Sequence, residues 1–300
     1  MKLFFTLSSL LMFYNIQAQD FFATADAFFK QHVQQGKVDY EAIKNNPQQL
    51  NILLNTIADY SLQNKDINHQ KAFYINTYNL LVIKTIVDNL PLNSPMDKSD
   101  FFDGFYYIVQ QQKMSLNQLE KGLIFKQFPD ARLHFVLVCG AVGCPPITNF
   151  AYTPNNLNNQ LEQQTQLAIN NSNFVAVDNT KKNVTVSEIF NWYKKDFETD
   201  AESLIGFFNR YLNQKIPNNY SVKFSTYNWS LNTQNTMQES PSTNLNIQNI
   251  TPAVLMQKGQ FEFKLFSNLY TQTKGFDSEG NRFNAGGRAT YFTQINPFLL

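Results

Sequence analysis

Cysteine, histidine and charge are all scarce in this chain: its 300 residues include 2 Cys, 3 His and 16% charged side chains. The charges nearly cancel, with 24 basic against 23 acidic residues and a formal net charge of +1. No long run of one sign occurs. A polyanion would find no electrostatic footprint here, so nucleic-acid binding is set aside. Beyond the N-terminus there is no stretch of about 18 apolar residues, the length that a membrane-spanning helix needs. Neither cysteine stands near residue 18, which removes a lipoprotein attachment point.

What is present is apolar and aromatic. A hydrophobic fraction of 43% allows a sizeable core. The 28 Phe and 14 Tyr are expected to fill it rather than to form a base-stacking surface, because no basic residues interleave with them. At the N-terminus, Lys2 precedes an apolar run from Leu3 to Tyr14 and small Ala18 follows. That is the three-part layout of a secretory signal, with cleavage expected after Ala18.

Apolar periodicity predicts a helix from Asp20 to about Gln34, ended by Gly36, and further helices over 40–60 and 71–89. The last is too broadly apolar for a surface helix and is expected at the centre of the core. Ser115 and Gln118 form a capping box opening an amphipathic helix that stops at Pro129. The short apolar run 133–138 reads as a buried strand. Thr153 and Pro154 start a helix reaching about Asn170. Residues 174–177 and 183–186 read as a hairpin around Asn179, Ser187 caps an aromatic helix, and a last helix covers 202–212. Helices outnumber strands and the strands come late, so the fold class is α+β: a mostly helical domain around a small sheet, with a hairpin tail.

Three ordered segments carry a family resemblance. They are Lys71-Ala72-Phe73-Tyr74-Ile75-Asn76-Thr77-Tyr78-Asn79, the stretch from Arg132 through His134, Cys139 and Cys144 to Pro145, and Tyr227-Asn228-Trp229-Ser230-Leu231-Asn232. Together they resemble domain of unknown function 547, as do the segment from Ser115 to Phe125 and the one from Ile189 to Tyr193. The resemblance implies a fold and no activity. In one respect the chain departs from it: members often carry His directly after the Glu corresponding to Glu120, and here that position is Lys121.

Both cysteines lie in the segment that begins with His134. A thiolate is the nucleophilic form, so a catalytic cysteine needs a base beside it and a third group to orient the base. Cys144, in the irregular Gly143-Cys144-Pro145-Pro146 turn, is the candidate nucleophile, His134 the base, and Glu120 or Asn79 the orienter. On a strand, Cys139 would point away from His134. Other readings of the same residues stay open: a small-loop disulfide between Cys139 and Cys144, a metal site of unusual spacing that lacks a named fourth ligand, and a core His and Cys with no chemistry. Asn76 and Asn79 share a helix face and read either as a structural network or as substrate-orienting amides. His32 and His69 are expected at the surface. No cofactor is implied.

After Asn232, residues 233–249 are nearly all polar and read as a linker. From Gln260 the sequence alternates, with Phe261, Phe263, Leu265 and Leu269 on one face, and 286–293 can return as a second strand. The stretch from Thr251 to Thr273 resembles the opening strand of Gram-negative outer-membrane barrel proteins. Barrels start at about eight strands, so the chain is expected to be part of a longer one. The expected organisation is a signal peptide at 1–18, the domain at 19–232, the linker at 233–249 and barrel strands at 250–300. It places the protein on the periplasmic side of the envelope, associated with the outer membrane through the tail and facing an envelope substrate or protein. Two functions follow: a cysteine-dependent peptidase- or amidase-like hydrolase, or a non-catalytic binding or assembly module. Because the alternating tail has its own oily face, a chain ending at Asn232 should melt at the same temperature as the whole chain. A loss of many degrees would instead put Phe261, Phe263 and Leu265 in the domain's core.

Overall fold

The computed structural model describes residues 20–234 throughout and, beyond them, only the strands of the tail. The expected signal peptide, most of the linker, and Phe261, Phe263 and Leu265 lie outside the described residues. The chain divides into two compact units, Met1–Ser240 and Pro241–Leu300.

The first unit opens with α1 (Phe21–His32), capped by the Asp20 carboxylate on Phe22 N, and a two-residue hairpin, β1 (Val33–Gln34) with β2 (Lys37–Val38). Gly36 takes φ +75° in its turn, and an added Cβ there would stand 2.6 Å from Pro146 Cβ. The helix expected over 40–60 is two helices, α2 (Tyr40–Asn45) and α3 (Gln48–Asp59). Pro47 divides them, since it has no N–H to continue the ladder.

Next comes α4 (Ile67–Asn89), buried on every face between Ala72 and Val87 except at Lys84. A helix apolar all round can only be central. The hairpin β3 (Tyr106–Val109) and β4 (Gln112–Ser115) leads into the capping box expected from the sequence, with Gln118 N donating to Ser115 Oγ at 3.2 Å and Ser115 N to Gln118 Oε1 at 2.9 Å. The helix that follows is a widened π turn over Gln118–Ile124, closing in α5 (Phe125–Gln127).

The apolar run 133–138 is not a strand. Asp130 caps a 3-10 turn over Ala131–Phe135, and residues 136–138 join no sheet. A short apolar run says that a segment is buried, not which backbone shape it takes. Here it threads between two apolar clusters, giving Leu133, Val136, Leu137 and Val138 to the one around α4 and Ala131 and Phe135 to the other. That second cluster is built on α6 (Leu157–Ile169), β5 (Val175–Asp178), β6 (Asn183–Ser187), α7 (Ile189–Trp192), α8 (Lys194–Ala201) and α9 (Leu204–Tyr211). β5 and β6 form the expected hairpin, and β7 (Ser221–Ser225) joins β6 in parallel. Pro154 sits in the first turn of the short 3-10 segment before α6, as expected, but Thr153 makes no side-chain cap.

His32, expected at the surface, is buried, with its ring 4.9 Å from that of Phe28. Burial lowers its pKa and Asp39 opposes the shift. His69 is half-buried and shares a 2.8 Å hydrogen bond with the Tyr60 hydroxyl. Thr233 and Gln234, read as the linker's start, still lie against β2 through a parallel bridge and a bond from Gln234 N to Val38 O. In the second unit, β8 (Phe266–Gln272) pairs antiparallel with β11 (Arg288–Gln294), and β9 (Gly275–Phe276) with β10 (Arg282–Phe283), a hairpin arrangement. Among the described residues no helix is long and apolar enough to cross a membrane.

Two asparagines on α4 hold irregular backbone in place. Asn76 donates to Tyr152 O and accepts from Tyr152 N, at 2.8 and 3.0 Å. Asn79 donates to Val136 O and accepts from Val138 N, at 2.9 and 3.1 Å. Each amide thus satisfies a buried N–H and C=O that no ladder reaches. Truncating either to Ala strands both backbone groups, at about 1–3 kcal/mol apiece. Urea unfolding of Asn79→Ala should therefore show a loss of several kcal/mol, with a similar loss for Asn76→Ala; a drop below about 1 kcal/mol would deny the clamp.

Candidate functional site

Where the two apolar clusters meet, a cleft of about 560 Å³ is lined by Glu120, His134, both cysteines, Tyr78, Tyr193, Tyr227, Trp192 and Trp229, among others. Four of its walls come from unrelated parts of the chain. Tyr78 projects from α4, Glu120 from the π turn, Trp192 and Tyr193 from the end of α7, and Tyr227 with Trp229 from the strand-like strap that follows β7.

The π turn matters for Glu120. Its carbonyl accepts from Phe125 N, five residues on, in place of the usual fourth. Such widened turns recur at functional sites because they re-aim a side chain without ending the helix. Glu120 Oε2 accepts a 2.8 Å hydrogen bond from the Tyr78 hydroxyl. Burial raises the pKa of this carboxyl above its ordinary 4.5, against the opposing effects of the Tyr78 bond, Lys121, His134 and the Tyr193 hydroxyl. The tyrosines respond in the same sense: Tyr78 and Tyr193 are pushed up, first by burial and then by the Glu120 charge.

His134 is buried, its ring stacked between Phe125 and Tyr193 at centroid distances of 4.4 and 4.1 Å. Its Nε2 lies 2.9 Å from Asp196 Oδ2 on α8. A carboxylate only accepts, so in the neutral ring the proton sits on Nε2 and Nδ1 is left as an acceptor. The His134 bond in turn holds the Asp196 carboxyl below its usual range. Asp196 is therefore the residue that orients the imidazole, a position for which the sequence suggested Glu120 or Asn79. Asn79 is spent on the backbone of residues 136 and 138. Glu120 is electrostatically coupled to His134 while its hydrogen bonds go to tyrosines.

Cys139 and Cys144 are joined, with S–S 2.08 Å and Cα–Cα 6.3 Å. The expected divergence of Cys139 from His134 rested on a strand that does not form; both line the one cleft. The bridged loop turns at Gly140, with φ +81°, where an added Cβ would stand 2.5 Å from Ile86 Cδ1. It is laddered to the strap: Gly143 N donates to Asn228 O, Val142 N to Ser230 O, and Asn232 N to Gly140 O. A Cβ on Gly143 would meet Asn228 O at 2.9 Å, so the close approach of the two segments requires glycine. The ladder brings the Tyr227 hydroxyl to 3.1 Å from Cys144 Sγ and 3.2 Å from Cys139 Sγ. Trp192 and Trp229 then stack at 5.9 Å, and Tyr227 packs tilted against both at 4.8 and 4.6 Å.

Residues 62–167 match the family model described as Protein of unknown function, DUF547. The match supports that resemblance over this stretch, which contains Tyr78, Asn79, Glu120, His134 and both cysteines. Asp196, Trp192, Tyr227 and Trp229 lie beyond it. No curated protein and no solved structure matches the chain. Among the described residues no group of three His, Cys, Asp or Glu side chains is placed to hold a metal ion. A second cleft, of about 450 Å³, is edged by Lys71, Asp130, Arg132, Asp200 and Arg210, whose charges pair with one another, as in Lys71 with Asp130 at 3.1 Å and Arg210 with Asp200 at 2.6 Å.

Sequence reasoning missed Asp196, which carries no pattern of its own, and the roles of Tyr227, Trp192 and Trp229, which it quoted only as family signatures. A raised carboxyl pKa makes a prediction of definite sign. The folded state holds the Glu120 proton more tightly than the unfolded chain, so stability falls as pH rises from about 4.5 through the folded value. Glu120→Gln keeps an acceptor for Tyr78 and removes the half-buried charge. Urea unfolding across a pH series should show the variant more stable than the native chain at neutral pH, with the gap closing in acid. A variant less stable at neutral pH would mean that hydrogen bonding outweighs burial.

Proposed function

We propose that the chain is an exported envelope protein whose described domain binds a ligand in the aromatic cleft and handles a proton there through Glu120. The observation that carries this reading is the Glu120 carboxyl itself, buried enough to hold its proton more tightly than usual and hydrogen-bonded by Tyr78, in a cleft faced by two tryptophans. A carboxyl tuned toward neutrality is what general acid–base chemistry at ordinary pH requires. Flat apolar faces such as those of Trp192 and Trp229 suit a ring or a peptide plane, and the polar groups beside them orient what stacks. The leader pattern at 1–18 supports export, a bridged cysteine pair suits an oxidising compartment, and the alternating tail supports an outer-membrane association.

The second reading is the cysteine-dependent hydrolase, with Cys144 as nucleophile and His134 as base. His134, which lines the same cleft and is held by Asp196 from α8, favours it. It applies only to a form in which the bridge has been opened, since a bonded sulfur offers no thiolate.

The chain contains only two tryptophans, and both line the cleft. Intrinsic tryptophan fluorescence of the whole protein therefore reports on this site alone. Titration with envelope-derived peptides and glycan fragments should give a saturable change in emission with one of the two classes, weakened at least tenfold by Glu120→Ala, a loss of about 1.4 kcal/mol. If neither class changes the emission, the cleft is not a binding site for them and the proposal falls.

A further inference from the structure

The two bridged sulfurs differ in their surroundings, and the difference has a direction. Cys139 is half-buried and Cys144 is 6% exposed. The backbone N–H of Cys139 points at Cys144 Sγ from 2.9 Å, and the Tyr227 hydroxyl donates to that sulfur from 3.1 Å. The same hydroxyl lies 3.2 Å from Cys139 Sγ and is shared between the sulfurs, so the inner sulfur has one donor more, the Cys139 N–H, and the outer one is the more exposed of the two. A bridge that merely tied two segments together would need neither feature, since a neutral disulfide gains little from hydrogen-bond donors. A thiolate gains much: charge-assisted bonds stabilise it, and a leaving thiol of lower pKa departs faster.

We infer that the Cys139–Cys144 bridge is a thiol–disulfide exchange centre, attacked at Cys139 and releasing Cys144, whose substrates are polypeptide segments bearing a pair of thiols. The inference rests on the cleft reading above and names the substrate class of that site. The steps balance. A thiolate of the client attacks Cys139 Sγ, forming a new S–S bond, and the Cys139–Cys144 bond breaks with its electron pair going to Cys144 Sγ. That charge settles on the sulfur already facing the Cys139 N–H and the Tyr227 O–H. The client's second thiolate then attacks its own bridged sulfur and expels Cys139 as a thiolate. Two electrons pass from client to protein, the client leaves with a disulfide, and the two protons it lost end on the cysteine thiols through water and Glu120. Glu120 is suited to that exchange because it lines the same cleft and is electrostatically coupled to Tyr227. Trp192, 46% exposed, and Trp229 give the client backbone a surface to lie on.

The test uses the whole oxidised protein and a short synthetic peptide carrying two thiols, quenched with acid at intervals and mapped by non-reducing mass spectrometry. The expected intermediate is a mixed disulfide on Cys139, with the peptide leaving oxidised. Equilibration with reduced and oxidised glutathione should show that Tyr227→Phe, which keeps the ring and loses the donor, favours the bridged form by roughly tenfold, as expected for one hydrogen bond to a charged group. In the trapping variants, which hold one free thiol and no bridge, the peptide is supplied in its own disulfide form: the Cys139 thiolate of Cys144→Ser should open that bond and accumulate the mixed disulfide, whereas Cys139→Ser, left with the buried Cys144, should not. Should the serine variants misfold, the mapping on the native chain still decides. A mixed disulfide found on Cys144, or on both sulfurs alike, overturns the inference, as does a bridge that the peptide dithiol leaves intact. Binding of the peptide seen by tryptophan emission without exchange sinks the exchange centre alone, whereas absence of binding by any peptide or glycan sinks the cleft reading beneath it.

Discussion

Burial of the middle of α4 is the constraint on which the rest depends. From Ala72 to Ile83 that helix has no solvent face, so unpaired polar groups are costly there, yet it carries Asn76, Tyr78 and Asn79 within one turn. Each is committed outward to a neighbour. The two amides pair with backbone that has no ladder partner, and the Tyr78 hydroxyl reaches Glu120. Fixing residues 136–138 from the helix fixes what flanks them, His134 on one side and Cys139 on the other. The cleft is thus anchored from a helix buried in the middle of the core.

The cleft sits where two apolar clusters meet because neither can close there. The run 131–138 divides its side chains between them, and the polar residues within it or next to it are left at the junction. Leaving a carboxyl in such a place costs free energy. The hydroxyls of Tyr78 and Tyr193 offset part of that cost without removing it, which keeps the pKa of Glu120 raised. A site that is stable only as a compromise between desolvation and hydrogen bonding is one whose protonation can be moved by a ligand.

Local signals survived into the structure wherever the controlling interaction is local. The Ser115 capping box joins residues three apart, the hairpin at 175–187 closes on neighbouring strands, and the breadth of the apolar pattern placed α4 at the centre correctly. Expectations failed where a distant partner decides. The run 133–138 is strand-like by composition, but its backbone is satisfied by Asn79 from 57 and 59 positions away, so no neighbouring strand is required. His32 reads as polar surroundings and is buried, with its ring against Phe28 and its carbonyl accepting from Gln234 Nε2, 202 positions away. Pro47 divides the apolar pattern over 40–60 into two helices because it has no N–H to continue the ladder.

The sequence alone determined the α+β class, the central helix, the Ser115 capping box, and which short segments hold the reactive residue types. Those properties follow from side-chain periodicity and from contacts within a few positions. It also singled out Cys139, Cys144, His134 and Glu120, because rare chemistry-bearing residues draw attention by their clustering. Tertiary structure decided their relations: that the sulfurs meet, that Asp196 from 62 positions away holds the imidazole, and that Tyr227 from 83 positions away covers the bridge. Hydrogen bonds act over about 3 Å and are indifferent to separation along the chain. Which groups come within that reach is set by how the two apolar clusters pack, and no local pattern records it.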